Sequence, residues 1–290
     1  MNTYALAPGH RGCMGCGEAL GARLAVTAAG PNVIVTNATG CLEVFSTAYP
    51  DTAWNVPWIH SLFENCAAVA SGVEAALKAL GRTETKVIAQ AGDGGTADIG
   101  LQALSGMLER GHDVLYICYD NEAYMNTGVQ RSSLTPFAAR TTTSPAGKVG
   151  WGNQTRKKDL VAIVAAHHIP FVATASIGYY QDLERKVKKA MKITGPKYMQ
   201  IHVPCMLGWA FPAEQTIKIA KLAVNSGLTP LFEMENGVIT NVRKISKKAP
   251  VTDYLQPQGR FRHLFQPGRE QELAAIQAIA DANIQRYGLM

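Results

Sequence analysis

Five short runs rich in β-branched residues, Val33–Thr36, Lys86–Ala91, Val114–Tyr119, Phe171–Thr174 and Tyr198–Val203, read as strands. Between and around them the spacing predicts helices over Gly17–Ala29, Phe63–Leu80, Ile99–Arg110, Asp159–His167 and Gln181–Ile193. Strands alternating with helices leave few options beyond an α/β fold, a largely parallel sheet with helices on both faces. The helix over Phe63–Leu80 carries Ala67, Ala68, Ala70, Ser71, Gly72, Ala75 and Ala76, small residues suited to close packing. Such a sheet binds its ligand beyond the carboxyl ends of its strands.

Two motifs fall at that edge. Gly92-Asp93-Gly94-Gly95 directly follows the strand ending at Ala91, and Asp120-Asn121 directly follows the strand ending at Tyr119. Either alone reads as an ordinary turn. Together, each behind a strand, they give the acid-then-amide pattern of a diphosphate-bound magnesium site. Magnesium takes hard oxygen ligands and few of them from side chains. Asp93 offers a carboxylate, Asn121 an amide oxygen and Ala123 a main-chain carbonyl, while Gly92, Gly94 and Gly95 let the backbone approach phosphates. The cofactor this pattern points to is thiamine diphosphate, and the Thr-, Ser-, Pro- and Gly-rich stretch Ser132–Gln154 reads as an ordered active-site loop.

The 290 residues, 47% hydrophobic, suffice for one large domain or two small ones. No apolar run reaches the roughly eighteen residues that a membrane helix needs, and Met1 to Gly12 lacks the layout of a signal peptide. Six cysteines are too few for a disulfide scaffold, so the expected compartment is the cytoplasm and the clustered thiols read as ligands or catalysts. The net charge of +6 gathers in Arg156-Lys157-Lys158, Lys186 to Lys189, Lys244 to Lys248 and Arg260 to Arg262. Each run reads first as a solvated face, and the whole surface as attractive to an acidic protein partner. No aromatic residues interleave with the runs, which argues against nucleic acid.

Cys13-Met14-Gly15-Cys16 supplies two thiols from one turn; Cys41 follows Thr39-Gly40 past a strand, and Cys205 follows Val203-Pro204 past another. Four thiolates suit an iron–sulfur cluster. Zinc would accept the same set, although structural zinc usually draws on two paired CxxC units. A redox-active Cys13–Cys16 dithiol is a third reading, which leaves Cys41 and Cys205 unused. Cys66 and Cys118 lie within a helix and a strand and read as core residues.

Long segments resemble the β subunit of pyruvate:ferredoxin oxidoreductase. They are Gly9-His10-Arg11-Gly12-Cys13-Met14-Gly15-Cys16-Gly17-Glu18, Asn37-Ala38-Thr39-Gly40-Cys41, Gly92-Asp93-Gly94-Gly95, Tyr119-Asp120-Asn121-Glu122-Ala123-Tyr124-Met125-Asn126-Thr127-Gly128 and Thr141-Thr142-Thr143-Ser144-Pro145. The resemblance runs from about residue 8 to about residue 210. It implies a thiamine-diphosphate-binding fold over 1–210 and a C-terminal extension over 211–290 packing on the domain or a partner subunit. It implies one [4Fe-4S] cluster on Cys13, Cys16, Cys41 and Cys205, magnesium on Asp93, Asn121 and Ala123, and Gly92 to Gly95 along the diphosphate. Glu18 and Cys41 then lie against the cofactor and Asn126 near the reacting carbon, with Asn126 and Thr127 as candidates to hydrogen-bond substrate oxygens and Glu18 as a further catalytic candidate.

The implied activity is oxidative decarboxylation of a 2-oxoacid with coenzyme A, the electrons passing to ferredoxin. Pyruvate is the first substrate, and oxalate, 2-oxoisovalerate and 2-oxoglutarate are alternatives. In this family the glutamate that activates the pyrimidine ring comes from a pyrimidine-binding partner subunit, and a ferredoxin-like subunit carries electrons onward. Stand-ins within this chain are Glu18, Glu43, Glu64 and Glu122. His10 and Arg11 read either as assistants or as structural residues, and the other histidines show no metal spacing. Two rivals are a non-oxidative thiamine carboligase, which has no use for four cysteines, and an electron-transfer subunit, which has none for Asp93 with Asn121. Past Cys205, the expectation is a helix over Glu214–Val224, a hairpin over Leu231–Val242 turning at Asn236-Gly237, an extended Lys244–Pro267 and a last helix over Glu270–Arg286.

Overall fold

The computed structural model describes residues 4–290; the first three residues of the N-terminal segment read for a signal peptide lie outside them. In chain order the elements are α1 (Gly17–Ala29), β1 (Val33–Asn37), α2 (Cys41–Ser46), β2 (Trp58–His60), α3 (Cys66–Ala79), β3 (Lys86–Gly92), α4 (Asp93–Ala97), α5 (Leu101–Glu109) and β4 (Val114–Asp120). Then follow α6 (Leu160–Ala165), β5 (Phe171–Ser176), α7 (Tyr180–Ala190), β6 (Lys197–His202), α8 (Thr216–Asn225), β7 (Phe232–Glu235), β8 (Val238–Val242), α9 (Val251–Leu255) and α10 (Glu270–Tyr287). One sheet holds all eight strands in the order β2-β1-β3-β4-β6-β5-β7-β8. The first six positions pair in parallel, and the β7–β8 hairpin adds antiparallel to β5.

Alternate residues of each central strand enter two separate cores. Leu115, Ile117 and Tyr119 face one side with Ala22, Ala25 and Val26 of α1 and Leu183 and Val187 of α7. Val114, Tyr116 and Cys118 face the other with Ala67 and Ala70 of α3, Leu104 of α5 and Leu160 of α6. Burial on both faces is why these strands read as continuous apolar runs. Each fully buried large side chain contributes about 1.5–3 kcal/mol of transfer free energy.

β1, β3, β4 and β6 are neighbours and parallel, so their carboxyl ends share one edge. Thr39 to Cys41, the glycine motif, Asn121 and Cys205 all emerge there. A third core of Trp209, Phe211, Ile219, Tyr254, Leu255, Phe261 and Ile276 packs the C-terminal elements against Ala138 and Ala139 of the long loop.

The structure departs from the sequence reading in three places. Gly92-Asp93-Gly94-Gly95 is a strand end running straight into the short helix α4, where the helix had been expected only from Ile99. Lys244–Pro267, expected as extended, contains α9 and a 3₁₀ turn over Gly259–Phe265. Pro250 sits just before α9, where its missing N–H costs nothing, and Val251, Tyr254 and Leu255 fall on one buried face. β2 was missed because three residues at a sheet edge carry too little pattern to register.

Candidate active site

A cavity at the carboxyl edge of the sheet is lined by Glu18 of α1, Asn37 to Leu42, Phe63, Ala91 to Gly95, Asn121 and Ala123 to Thr127. Every residue expected to hold the cofactor borders it. The glycines have a packing reason as well as a binding one: a side chain at Gly94 would run into the Tyr124 ring, and one at Gly100 into the Gly95 carbonyl.

Three oxygens of residues lining this cavity have no donor, Asn37 Oδ1, Asp93 Oδ1 and Asn121 Oδ1, and the last two belong to the acid–amide pair. Asp93 is fully buried; its Oδ2 accepts from Ser132 Oγ, and its Oδ1 is unpartnered. Asn121 donates through Nδ2 to Glu18 Oε2 at 3.3 Å, its carbonyl accepts from Trp209 Nε1 at 2.8 Å, and its Oδ1 is unpartnered. Burial, and then the charge of Asp120, pushes the Asp93 carboxyl well above the usual carboxylate range. Buried acceptors are normally satisfied, and a buried carboxylate is costly without a cation. A carboxylate oxygen and an amide oxygen left bare beside a glycine turn fit a hard divalent cation and its diphosphate.

Glu18, also buried, is pushed up to about 7 by burial, against the opposing bond from Asn121. Among the four glutamates considered as stand-ins it alone lines the cavity. Glu64 is exposed, Glu43 Oε1 accepts from Thr47 Oγ1 at 3.5 Å, and Glu122 is bound by Lys157 and Arg260. Asn126 and Thr127 stand exposed at the mouth, where the Thr127 hydroxyl donates to Gln130 Oε1 at 2.6 Å.

The cysteines lie beside the cavity, with Cys41 in its wall. Cys16 caps α1, its sulfur accepting from the Ala19 amide at 3.4 Å, and the Cys205 sulfur accepts from the Gly208 amide at 3.4 Å. Gly17 is wedged against the Pro204 carbonyl, 2.5 Å from where its Cβ would lie, which joins the start of α1 to the segment carrying Cys205. Thr216 Oγ1 ties the CxxC turn to α8 through the Gly15 carbonyl at 2.8 Å. His10 Nδ1 accepts from the Gly12 amide at 3.1 Å, so this histidine shapes the turn.

Burial first, then Glu18, pushes the Cys16 thiol up to about 12. Burial and Glu18 likewise raise Cys41, and Cys205, Cys16 and Cys13 add to the rise. A redox-active dithiol needs the opposite, a lowered thiol pKa. Among the described residues no three His, Cys, Asp or Glu side chains are grouped to hold one metal ion. Cys66 and Cys118 are core residues, as their positions implied.

Residues 38–201 match the family described as thiamine pyrophosphate enzyme, C-terminal TPP binding domain. The pyruvate synthase subunit PorB of Methanosarcina barkeri is 59% identical over 289 residues, covering 99% of this chain and 97% of that one. This chain belongs to the 2-oxoacid:ferredoxin oxidoreductases, as a β subunit. The PorB subunit of Methanocaldococcus jannaschii is 57% identical, over 98% of this chain and 96% of its own. A solved 2-oxoglutarate:ferredoxin oxidoreductase from Magnetococcus marinus, with 2-oxoglutarate, coenzyme A and succinyl-CoA bound, shares the fold with a TM-score of 0.60 at 19% identity, over 99% of this chain and 90% of that one. The 2-oxoacid:ferredoxin oxidoreductases depend on thiamine diphosphate, and the cavity at the strand ends is where this β subunit would carry it. Among the described residues no helix is long and apolar enough to cross a membrane.

The sequence reading missed Lys157, Arg260 and Trp209. Lys157 lay in a basic run taken as a solvated face, yet it pairs with Asp120 Oδ2 at 2.6 Å and Glu122 Oε1 at 2.8 Å. Lys186 and Lys189 are paired too, with Asp182 and with Glu233 and Glu235. The available signal was the three carboxylates Asp93, Asp120 and Glu122 at the ends of the paired strands β3 and β4, which call for cations.

Proposed function

We propose that this β subunit serves a pyruvate:ferredoxin oxidoreductase, in which pyruvate and coenzyme A become acetyl-CoA and carbon dioxide. The reaction releases two electrons and one proton; Cys13, Cys16, Cys41 and Cys205 would hold a [4Fe-4S] cluster, which would supply one-electron acceptance. The observation that carries the reading is the pair of bare buried oxygens, Asp93 Oδ1 and Asn121 Oδ1, in a cavity whose wall includes Cys41. Asp93, Asn121 and the Ala123 carbonyl hold magnesium, and Gly92 to Gly95 follow the diphosphate. When bound, thiamine diphosphate supplies the electron sink for decarboxylation.

A four-iron cluster takes one thiolate per iron around a cube, a wider spread than one zinc ion requires. Cys13, Cys16 and Cys205 lie near enough to Cys41 for their charge to raise its thiol pKa, which supports one shared site for the four. The amides of Ala19 and Gly208 donate to the Cys16 and Cys205 sulfurs, and such bonds would raise the reduction potential of a cluster held there. Glu18 orients Asn121, and Asn126 at the mouth meets the substrate oxygens with Thr127 beside it. A partner subunit brings the pyrimidine-contacting glutamate, and a ferredoxin-like subunit receives the electrons. Thiolate ligation of this kind supports a reducing compartment such as the cytoplasm.

The test is ferredoxin reduction by the anaerobically purified complex, with pyruvate, 2-oxoisovalerate, 2-oxoglutarate or oxalate as substrate. The reading expects pyruvate to be preferred and reduction to require coenzyme A. Preference for another acid keeps the residue roles and replaces the substrate; carbon dioxide release without ferredoxin reduction would return the carboligase reading.

A further inference from the structure

The strand end that carries the proposed magnesium ligands is gripped from behind. Lys157 Nζ lies 2.8 Å from Glu122 Oε1, and Arg260 Nη2 lies 2.6 Å from Glu122 Oε2. Lys157 also reaches Asp120 Oδ2 at 2.6 Å. Asn121 sits between these two anchored acids and Ala123 follows them. None of Asp120, Glu122, Lys157 and Arg260 borders the cofactor cavity.

Glu122 adopts φ 70°, the left-handed region that residues with a Cβ seldom occupy. Such a conformation persists only where surroundings over-determine it. Here they do: Thr135 Oγ1 donates to the Glu122 carbonyl at 2.7 Å, and Trp209 Nε1 to the Asn121 carbonyl at 2.8 Å. The Arg260 guanidinium carbon lies over Trp209, 3.6 Å from the ring centroid, and its Nε donates to Gln258 Oε1 at 2.8 Å. Lys157 and Arg260 pair with the two oxygens of the buried Glu122 carboxylate, one on each. Buried ion pairs add little net stability compared with apolar packing, and their best-attested use is to specify one conformation.

We propose that Lys157 and Arg260 are positioning residues for the divalent cation: through the Glu122 carboxylate they hold the left-handed turn that presents Asn121 and Ala123 to it. The inference rests on the magnesium reading above. Both cations act at a distance from the metal, and Arg260 brings in residues from the C-terminal part of the chain. The turn reverses the strand's alternation at the one point where a side-chain oxygen and a main-chain oxygen must serve the same ion.

The experiment uses the assembled complex, stripped anaerobically of thiamine diphosphate and metal, with Mn²⁺ binding followed by EPR at saturating thiamine diphosphate. Glu122→Gly suits the left-handed backbone but removes the carboxylate, and it is expected to weaken Mn²⁺ binding at least about tenfold, as loss of an outer-shell partner does. Lys157→Met is expected to do the same and Lys157→Arg to restore binding to within about threefold of wild type. Glu122→Gln, isosteric and able to fold, is expected to weaken binding severalfold, with the apparent metal constant moving more than kcat at saturating Mn²⁺. Asp93→Ala reports on the metal site itself. If Asp93→Ala abolishes binding while Glu122→Gly and Glu122→Gln match wild type, the positioning role is overturned and the metal site stands. If Asp93→Ala binds Mn²⁺ as wild type does, the magnesium reading falls and this inference with it.

Discussion

Asn121 and Glu18 share one hydrogen bond, Nδ2 to Oε2 at 3.3 Å, and it leaves Asn121 Oδ1 bare and turned toward no donor. The amide is thereby fixed in one orientation: nitrogen to the carboxylate of α1, oxygen to the proposed cation site. Asp93 is held the same way, with Oδ2 on Ser132 and Oδ1 bare. In both residues one atom is spent on orientation and the other is kept for binding.

Removing either bare oxygen disables the site. Asp93→Ala is expected to lower thiamine diphosphate–magnesium affinity by more than the about 10–100-fold typical of an outer-shell change. Quantifying thiamine diphosphate bound to the purified complex checks this, and Ser132→Ala, which loses only the orienting hydroxyl, should fall within that range.

Glu18 gives a pH dependence of opposite sign to the common carboxylate case. Its carboxyl rises from 4.5 to about 7 on burial, so the folded state binds the proton more tightly than the unfolded state. Stability is therefore full below 4.5 and falls as pH rises from there to about 7, by about 3 kcal/mol from the size of the gap. Asp93 moves in the same direction. Calorimetry on the complex stripped of thiamine diphosphate and metal should show a lower melting temperature at pH 8 than at pH 5, and Glu18→Gln should flatten that slope. An unchanged slope in Glu18→Gln would show that the carboxyl titrates near its ordinary value.

Gly94 and Tyr124 should be coupled. A methyl at Gly94 meets the Tyr124 ring, whose hydroxyl donates to Asp98 Oδ2 at 2.9 Å. Overpacking of this kind costs typically about 1–3 kcal/mol. Gly94→Ala is expected to lose most activity, and Gly94→Ala with Tyr124→Leu to recover part of it; a double-mutant cycle on cofactor affinity measures the coupling.

Much of this was legible in the sequence because the central strands are buried on both faces and the motifs sit directly at their ends. Val114 to Asp120 is the clearest example, an apolar run ending in an acid and an amide. Topology alone placed the glycine motif, Asn121, Cys41 and Cys205 past strand ends, whereas Cys13 and Cys16 were joined to them through the cofactor motif and the family resemblance. What stayed hidden was long-range pairing. Arg260 meets Glu122 across a separation of 138 residues, and no local pattern around either residue announces it. Lys157 was hidden for the opposite reason, since a basic tripeptide looks solvated until its carboxylate partners are known.

The cysteines divide into two classes with different expected losses. Cys41→Ala should remove the cluster's iron and visible absorbance and stop ferredoxin reduction. Cys118→Ala, in the core between the sheet and α3, should keep both while lowering stability, because deleting a buried atom leaves a small cavity. Iron quantification under anaerobic conditions separates them.

On the function proposed above, the acid–amide cation site and the four-thiol site work as one electron path. EPR of the anaerobically purified complex, before and after pyruvate and then coenzyme A, tests it most directly. The account predicts a reduced [4Fe-4S] signal that grows on adding substrate, is absent in Cys41→Ala, and fails to appear in Asp93→Ala although that variant's cluster is still reduced by dithionite. A complex that lacks an iron–sulfur signal, or an Asp93→Ala variant whose cluster is reduced by pyruvate as in wild type, would contradict it.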